Sequence, residues 1–327
     1  MINLGIIGYR NHAQRLIKII ENNSKAELQF IYHPSKIIND KRETNNILDL
    51  FKCDGIIIAS PNHTHLEYII KLLKKNNLKI FCEKPPVNNE ENLKILENLS
   101  LKEKRRIFFN FNFRFSDLSK KIEIQKKSME LEKIIQINII STHGLAFKKE
   151  YKNSWRSDGK NNLHNILDTV AIHYIDLMNF HFGKINSSIY IPKLNSKTGT
   201  SFDTAQITLD YDNVITNIFT SYAAPMIHEI SMIGINGQIT FKDDFICVYS
   251  PRDNYDENGN FVKPNMKSKN SFSLEQDYED SLKNSINFFI NTVEKKEYFD
   301  LHHFESSIST TREIIKFHKL NNDISNS

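Results

Sequence analysis

Residues 3–22 read NLGIIGYRNHAQRLIKIIEN and combine a short apolar run, a turn and an amphipathic pattern. Residues 3–7 are typical of a buried strand, and residues 13–22 repeat apolar side chains at helical spacing. The turn between them follows the G-x-G-x-x-G/A pattern of dinucleotide-binding turns, with Gly8 first and Ala13 last. Arg10 replaces the second glycine and could either pair with a phosphate or block the site. The candidate cofactor contacts in this turn are Gly8, Tyr9, Arg10, Asn11 and His12.

The next hundred residues continue to alternate apolar runs with helical patterns, which is typical of a parallel sheet with crossover helices. Further strands are expected at residues 27–32, 55–59, 78–82 and 106–110. Helices are expected after Asn62, which we take as the capping residue, and at residues 90–101. The pattern predicts a doubly wound nucleotide-binding domain over residues 1–117.

The rhythm changes in residues 118–327, where several strand-like runs follow one another. Strands are expected at residues 133–142, 204–211, 214–221, 229–235, 238–241 and 245–249, with helices at 165–182, 281–294 and 306–319. Asn236-Gly237 lies between two alternating runs and predicts a hairpin, whereas the polar residues 253–271 predict a loop. The second domain is therefore expected to be α+β with a large, mostly antiparallel sheet.

Composition narrows the class of partner. The 327 residues include 43 Lys+Arg against 39 Asp+Glu, and the lysines are scattered without an arginine and aromatic stripe, so no nucleic-acid partner is expected. No apolar run reaches the roughly 20 residues of a membrane span, and no signal-peptide pattern opens the chain. Three widely spaced cysteines predict reduced thiols, and the protein is expected to be cytoplasmic with no membrane association. The histidines lack the spacing of a metal site, so no metal is expected.

The end of the second predicted strand bears on the choice of cofactor. Residues 31–36 read IYHPSK and contain no Asp or Glu to hold the adenine ribose hydroxyls. His33, Ser35 and Lys36 suit a ribose 2′-phosphate better than a bare diol, which favours NADP over NAD. The alternative is a solvated turn, since lysine is abundant in this chain.

Several motifs, in order along the chain, resemble those of the Gfo/Idh/MocA oxidoreductases, the family of glucose–fructose oxidoreductase and inositol dehydrogenase. The resemblance rests on five segments that span nearly the whole chain: SPNHTH at 60–65, EKP at 83–85, NFRF at 112–115, NSWR at 153–156 and AIHYIDL at 171–177. It implies hydride transfer between NAD(P) and a secondary alcohol or ketone of a sugar or nucleotide sugar. It also implies a Lys84-Pro85 bond that is often cis. A homo-oligomer is expected because large sheets with one exposed face favour pairing.

The resemblance also implies which residues of this chain contact the cofactor and which contact the substrate. Its cofactor contacts are Ser60, Pro61, Asn62, His65, Glu83, Lys84 and Arg114. Its substrate contacts are Lys84, Asn112, Trp155, Arg156, Thr169 and His173. Lys84 would stabilise negative charge on the reacting oxygen at the end of a parallel strand.

His173 is the candidate general acid and base, because its ordinary pKa lies near neutral pH. Asp176, one turn later on the same helix face, could orient the imidazole. The family usually has Asp or Asn four residues before this histidine, and here that residue is Thr169. Thr169 is a further candidate catalytic residue, since it can reach the same substrate group, but it cannot act as a carboxylate. His164 and Asn165 replace a usual glycine pair. These departures leave open an alternative, a catalytically impaired member that only binds cofactor or sugar.

Overall fold

The computed structural model describes residues 1–35, 37–128 and 130–322. The strands are β1 Ile2–Ile7, β2 Ala26–Tyr32, β3 Glu43–Thr44, β4 Gly55–Ile58, β5 Lys79–Glu83, β6 Ile107–Asn110, β7 Ile134–Thr142, β8 Ser187–Lys193, β9 Thr204–Asp210, β10 Ile215–Ser221, β11 Ile227–Gly234, β12 Gln238–Lys242, β13 Phe245–Tyr249 and β14 Met266–Ser271. The helices are α1 Asn11–Glu21, α2 His65–Leu73, α3 Glu90–Glu97, α4 Leu101–Lys104, α5 Asp117–Lys127, α6 Gly159–Asn162, α7 Ile172–Phe182, α8 Leu274–Glu294 and α9 Leu301–Asn322.

The first compact unit comprises Met1–Phe115 and Asp280–Lys319. Its sheet has the order β3-β2-β1-β4-β5-β6 with parallel pairing throughout. This is the doubly wound order, and it confirms the expected nucleotide-binding architecture. Because the strands are parallel, the ends of β1, β4 and β5 meet at one edge of the sheet.

Most of helix α8 belongs to the first unit, although it follows the second unit along the chain. Its residues Leu282, Ile286 and Phe289 are buried in the same core as the strands of the parallel sheet. The ring of Phe289 lies 5.5 Å from that of Phe81 and 6.0 Å from that of Phe299. The observed division therefore differs from the expected domain of residues 118–327, because this apolar helix face completes the core of the first unit.

Local details of the first unit differ from the sequence predictions. The expected helix cap at Asn62 is wrong, because residues 62–64 form a 3₁₀ turn and α2 begins after Thr64. The expected helix at 90–101 is split into α3 and α4. Ser100 starts α4 with a capping box in which its side chain accepts from the Glu103 backbone and Glu103 accepts from the Ser100 backbone.

The second compact unit is built on Ser116–Glu279. Its sheet has the order β14-β13-β12-β11-β7-β10-β9-β8, and every pair is antiparallel except β7 with β10. The mostly antiparallel sheet and the hairpin at Asn236-Gly237 are confirmed. The prediction of a loop over residues 253–271 is wrong at its end, where the polar strand β14 pairs along the sheet edge with β13.

The helix expected at 165–182 is interrupted near its start. Residues Leu167–Ala171 form a π-helical turn, and α7 continues from Ile172. Such turns are frequent at functional sites because the extra residue redirects side chains. Among the described helices, none combines the length and apolarity needed to cross a membrane.

Candidate functional site

The turn after β1 is built around Gly8. Its φ of +108° lies in the region that favours glycine, and its backbone N–H donates to the Tyr32 carbonyl over 3.0 Å. A Cβ at this residue would lie 2.6 Å from the carbonyl oxygen of Ala59. Any side chain here would collide with the backbone that follows β4, so the turn requires glycine.

Helix α1 begins directly after this turn and has an open amino terminus. Arg10 is the N-cap, with extended backbone and no side-chain capping bond, and its side chain is exposed. The first turn of α1 carries no acidic residue. The first N–H groups of a helix have no partner within the helix, so these groups and the helix dipole favour an anion at this end. Together with the close approach at Gly8, this arrangement fits the diphosphate of a dinucleotide.

Glu83, at the carboxyl end of β5, lies against the same helix. Its Oε1 is 2.8 Å from Nε2 of His12 and accepts a 2.8 Å hydrogen bond from Nδ2 of Asn110. Burial by itself raises the pKa of Glu83, but the charge and hydrogen bond of His12 and the amide of Asn110 hold it below its ordinary value. The carboxylate in turn raises the pKa of His12. This pair joins the phosphate-binding turn to the residue before Lys84.

Lys84 is half-buried and precedes Pro85 through a cis peptide bond, as the resemblance implies. His65 lies beneath this turn, with Nδ1 2.9 Å from the Pro85 carbonyl oxygen and Nε2 3.0 Å from that of Ser60. Burial lowers the pKa of His65. The ring thus holds the Lys84-Pro85 turn close to the segment that follows β4, whose Pro61 and Asn62 are exposed.

The end of β2 carries the candidate residues for the adenine ribose. Nδ1 of His33 accepts a 3.3 Å hydrogen bond from the backbone N–H of Ser35, so the turn is closed by its own imidazole. Ser35 is exposed and His33 is half-buried. Lys36 lies outside the described residues. Among residues 31–35 there is no carboxylate to accept from ribose hydroxyls.

Asn112 and Arg114 are buried inside the first unit. The Asn112 amide donates to Oγ of Ser281 over 2.7 Å. Arg114 donates to the His303 carbonyl over 2.9 Å and to Oγ of Ser307 over 3.0 Å. Both predicted ligand contacts thus bond to helices α8 and α9. Asn112 and Arg114 therefore help to hold these helices in place, and their contact with a ligand stays a prediction.

In the second unit, a polar cluster forms around the π-helical turn. Oγ1 of Thr169 donates to the Asn165 carbonyl over 2.6 Å and shares a short hydrogen bond with the hydroxyl of Tyr222. Burial raises the pKa of Tyr222, with smaller opposing effects from Thr169 and from Arg156, which also hydrogen-bonds to it. The guanidinium of Arg156 lies 4.6 Å from the ring centroid of exposed Trp155. The predicted substrate residues Trp155, Arg156 and Thr169 are therefore brought together.

Tyr222 and His143 are members of this cluster that the sequence analysis missed. Their rings lie 5.0 Å apart, and burial lowers the pKa of His143. Each directly follows one strand of the parallel β7 and β10 pair, in which Ser221 pairs with Thr142. The only sequence signal was a ring at the end of each strand, and it becomes informative only once the pairing is known.

His173 lies on the first turn of α7, and Asp176 follows it on the next turn. His173 is half-buried, and its ring meets that of Tyr278 edge-on at 6.5 Å. Asp176 is completely buried. His164 lies inside the unit, where its Nδ1 is 3.0 Å from the Tyr190 hydroxyl. The residues that replace the usual glycine pair are thus packed side chains.

Comparison with protein-family models shows the family to which the chain belongs. A family model described as "Oxidoreductase family, NAD-binding Rossmann fold" matches residues 2–111. A second, described as "Oxidoreductase family, C-terminal alpha/beta domain", matches residues 126–316. The chain belongs to this oxidoreductase family, the Gfo/Idh/MocA family. It is therefore a dehydrogenase-type enzyme with an NAD-binding Rossmann domain, and membership does not favour the catalytically impaired alternative.

Individual relatives agree with this assignment. Glucose-6-phosphate 3-dehydrogenase of Bacillus subtilis (strain 168) is 25% identical over 240 residues, which cover 68% of each chain. A putative NADPH-dependent oxidoreductase from Desulfitobacterium hafniense has a TM-score of 0.78 at 14% identity, covering 96% of this chain and 93% of its own. A myo-inositol dehydrogenase from Corynebacterium glutamicum has a TM-score of 0.74 at 18% identity, covering 97% and 95%. At these identities the two solved structures show only the fold of this chain.

Proposed function

We propose that this oxidoreductase moves a hydride between NAD(P) and a secondary alcohol or ketone of a sugar or nucleotide sugar. The observation that carries the proposal is the cradle formed by Gly8 and the amino terminus of α1, joined through His12 and Glu83 to Lys84. The first unit is proposed as the cofactor domain. The second is proposed to bind substrate and to form the contacts between subunits.

The cofactor supplies one chemical capability when bound: its nicotinamide ring accepts or donates a hydride. The turn at Gly8–His12 and the amino terminus of α1 hold the diphosphate by backbone N–H groups. Exposed Arg10 can add a charged hydrogen bond to a phosphate. Ser60, Pro61 and Asn62 follow β4 at the same edge of the sheet and are proposed to contact the nicotinamide half.

Lys84 and His173 are proposed to handle the substrate oxygen and its proton. In the oxidising direction the alcohol O–H bond breaks and His173 takes the proton, while the carbon loses its hydride and becomes a carbonyl. The Lys84 ammonium stabilises negative charge on the oxygen during this change. In the reducing direction His173 returns the proton. Asp176, buried one turn further on, is proposed to orient the imidazole.

Thr169 and Arg156 are proposed to hold the substrate rather than to transfer protons. Thr169 offers a hydroxyl to a sugar hydroxyl, and Arg156 offers a guanidinium to a phosphate. A phosphate-bearing sugar is supported by the relative named glucose-6-phosphate 3-dehydrogenase. The name of the structural neighbour myo-inositol dehydrogenase supports a polyhydroxylated ring as the substrate class.

NADP is proposed as the preferred cofactor. The support is the missing carboxylate at the end of β2 and the presence there of His33, Ser35 and Lys36. Titrating NADP, NADPH, NAD and NADH into the protein by calorimetry tests this preference. We expect His33→Asp to shift the ratio of affinities toward NAD, because a carboxylate accepts from ribose hydroxyls and repels a 2′-phosphate. No binding of any of the four below millimolar concentration would remove the dehydrogenase proposal.

Two substitutions test the catalytic residues. Lys84→Ala and His173→Ala should each reduce turnover by orders of magnitude while the unfolding transition is retained. Exposed Lys102→Ala and His302→Ala are matched controls that should turn over normally. Unchanged rates in both active-site variants would remove this assignment.

A cytoplasmic location and a homo-oligomer complete the proposal. The location is supported by three cysteines, Cys53, Cys82 and Cys247, none of which is in a disulfide. The homo-oligomer is supported by apolar side chains exposed on the sheet of the second unit, including Ile189, Ile191 and Ile215. Sedimentation of the purified protein tests the oligomer, and a monomer at micromolar concentration would contradict it.

A further inference from the structure

A cavity of about 620 Å³ lies in the first unit at the edge opposite the phosphate-binding turn. It is bounded by Ile2 at the start of β1, by Asp54 before β4 and by Leu78 before β5. The proposed cofactor residues follow the carboxyl ends of the same strands. A strand such as β5 separates its two ends by about 13 Å, at roughly 3.3 Å per residue. The cavity is therefore separate from the proposed cofactor site.

Lys79, the first residue of β5, lines this cavity and is only 4% exposed. Its ammonium lies 4.0 Å from the centre of the Tyr298 ring. Within residues 1–35, 37–128 and 130–322, no carboxylate or hydrogen-bond acceptor pairs with this ammonium. A buried charge without a counter-ion is costly, and a tyrosine ring offsets only part of that cost.

The surroundings of Lys79 add positive charge. Buried Arg106, which immediately precedes the neighbouring strand β6, donates to the carbonyls of Leu73 and Lys75 and forms no direct ion pair among the described residues. Burial, followed by the charges of Arg106 and Arg105, lowers the pKa of Lys79 to about 8. The ammonium is thus held in an environment that disfavours its charge unless an anion accompanies it.

The carboxylates that line the cavity already have other partners. Asp54 accepts a 2.8 Å hydrogen bond from the backbone N–H of Asn3. Glu294 forms a 2.8 Å ion pair with Lys25. Lys75 also lines the cavity, and its ammonium donates to the carbonyls of Phe51 and Cys53. The lining therefore contains positive charge that its own acids do not neutralise.

We propose that this cavity is a binding site for a small phosphate-bearing metabolite, with the Lys79 ammonium as the counter-ion of the phosphate. A phosphate alone is far smaller than the cavity, whose size is that of a typical small-molecule site. The amides of Asn76 and Asn77, which also line it, can bond to hydroxyl groups on the remainder of the ligand. The ligand class is a phosphorylated polyol or free phosphate, and the site is independent of the hydride-transfer proposal.

Calorimetric titration of the full chain tests the site with inorganic phosphate, glycerol 3-phosphate and glycerol as probes. We expect both phosphates to bind, the ester more tightly, and glycerol not to bind. Lys79→Met should weaken phosphate binding at least tenfold. Lys102→Met, which removes the same charge from an exposed residue, should change it less than twofold. Equal phosphate affinity in wild type and Lys79→Met, or no binding by wild type, would overturn the proposal.

A second measurement needs no variant. Amine acylation at pH 8, followed by mass spectrometry of the peptides, reports the reactivity of each lysine in the wild-type protein. Saturating glycerol 3-phosphate should slow the labelling of Lys79 at least fivefold and leave that of Lys102 unchanged. Equal slowing at both lysines, or none at Lys79, would contradict a phosphate bound beside Lys79.

Discussion

Nε2 of His12 lies 2.8 Å from Oε1 of Glu83, which connects the first turn of α1 to the carboxyl end of β5. One residue belongs to the dinucleotide-binding turn and the other immediately precedes Lys84. The carboxylate is also held by Asn110 at the end of β6. Polar contacts thus join helix α1 to strands β5 and β6, at the edge of the parallel sheet where the cofactor is proposed to bind.

The His12–Glu83 pair predicts a pH-dependent contribution to stability. The pKa of His12 is raised above its ordinary 6.5, so its contribution is complete below 6.5 and is lost as the pH rises through the raised pKa. The pKa of Glu83 is lowered, so its contribution is present above its ordinary 4.5 and is lost as the pH falls through the lowered pKa. His12→Asn should therefore destabilise the protein most at about pH 5 to 6.

The expected loss is about 1 kcal/mol in the free energy of unfolding, since the His12 side chain is 41% exposed and screened by solvent. Urea unfolding at a series of pH values measures it. Exposed His63→Asn is the control and should change the free energy of unfolding by less than about 0.5 kcal/mol. A His12→Asn effect that is the same at pH 5.5 and pH 9 would contradict the charge pair.

Gly8→Ala should greatly weaken cofactor binding. The added Cβ meets the Ala59 carbonyl at 2.6 Å with φ at +108°, so the turn must move away from the geometry that receives the diphosphate. We expect a stability loss of about 2 kcal/mol from the strained backbone and at least a hundredfold weaker dinucleotide binding by calorimetry. In Gly144→Ala the nearest atom is 3.8 Å away, and both quantities should be unchanged. Normal dinucleotide affinity in Gly8→Ala would place the cofactor elsewhere.

Tyr222→Phe should raise the KM for substrate about fivefold with a smaller change in kcat. The hydroxyl holds Thr169 and Arg156, so its loss releases two proposed substrate contacts, at about 1 kcal/mol for a hydrogen bond. Steady-state kinetics and thermal unfolding measure the two effects. Tyr190→Phe removes another buried hydroxyl, the partner of His164, and should affect stability alone. Equal KM changes in both variants would indicate a purely structural role for Tyr222.

Phe289→Ala should destabilise the first unit by about 3 to 5 kcal/mol, because it leaves a cavity between the rings of Phe81 and Phe299. Phe147→Ala, at a residue that is 68% exposed, should change stability by less than about 0.5 kcal/mol. Hydrogen exchange locates the loss, which we expect in β1 and β5. Protection lost only in the second unit would contradict the assignment of α8 to the first.

Prediction from sequence succeeded where local pattern and local structure coincide. The strands of the parallel sheet are short, mostly apolar runs, and each was expected except the two-residue β3, which is too short to show a pattern. The boundary errors have local causes as well. The capping box at Ser100 starts a second helix where one continuous helix was expected, and the 3₁₀ turn at Asn62 precedes the start of α2. Periodicity alone distinguishes neither.

The sequence by itself determined the Rossmann turn at Gly8, the motif residues that follow the strands, and the two kinds of sheet, because all of these depend on the order and spacing of neighbouring residues. Only the tertiary structure decided that α8 completes the core of the first unit and that β7 pairs in parallel with β10. The pairing of β7 with β10 brings His143 and Tyr222 together beside Thr169. In the first unit, Lys79 lines a cavity at the amino-terminal ends of the parallel strands. All of these contacts are between residues that lie far apart along the chain. Which of them form depends on side-chain packing, and a local sequence pattern carries no information about it.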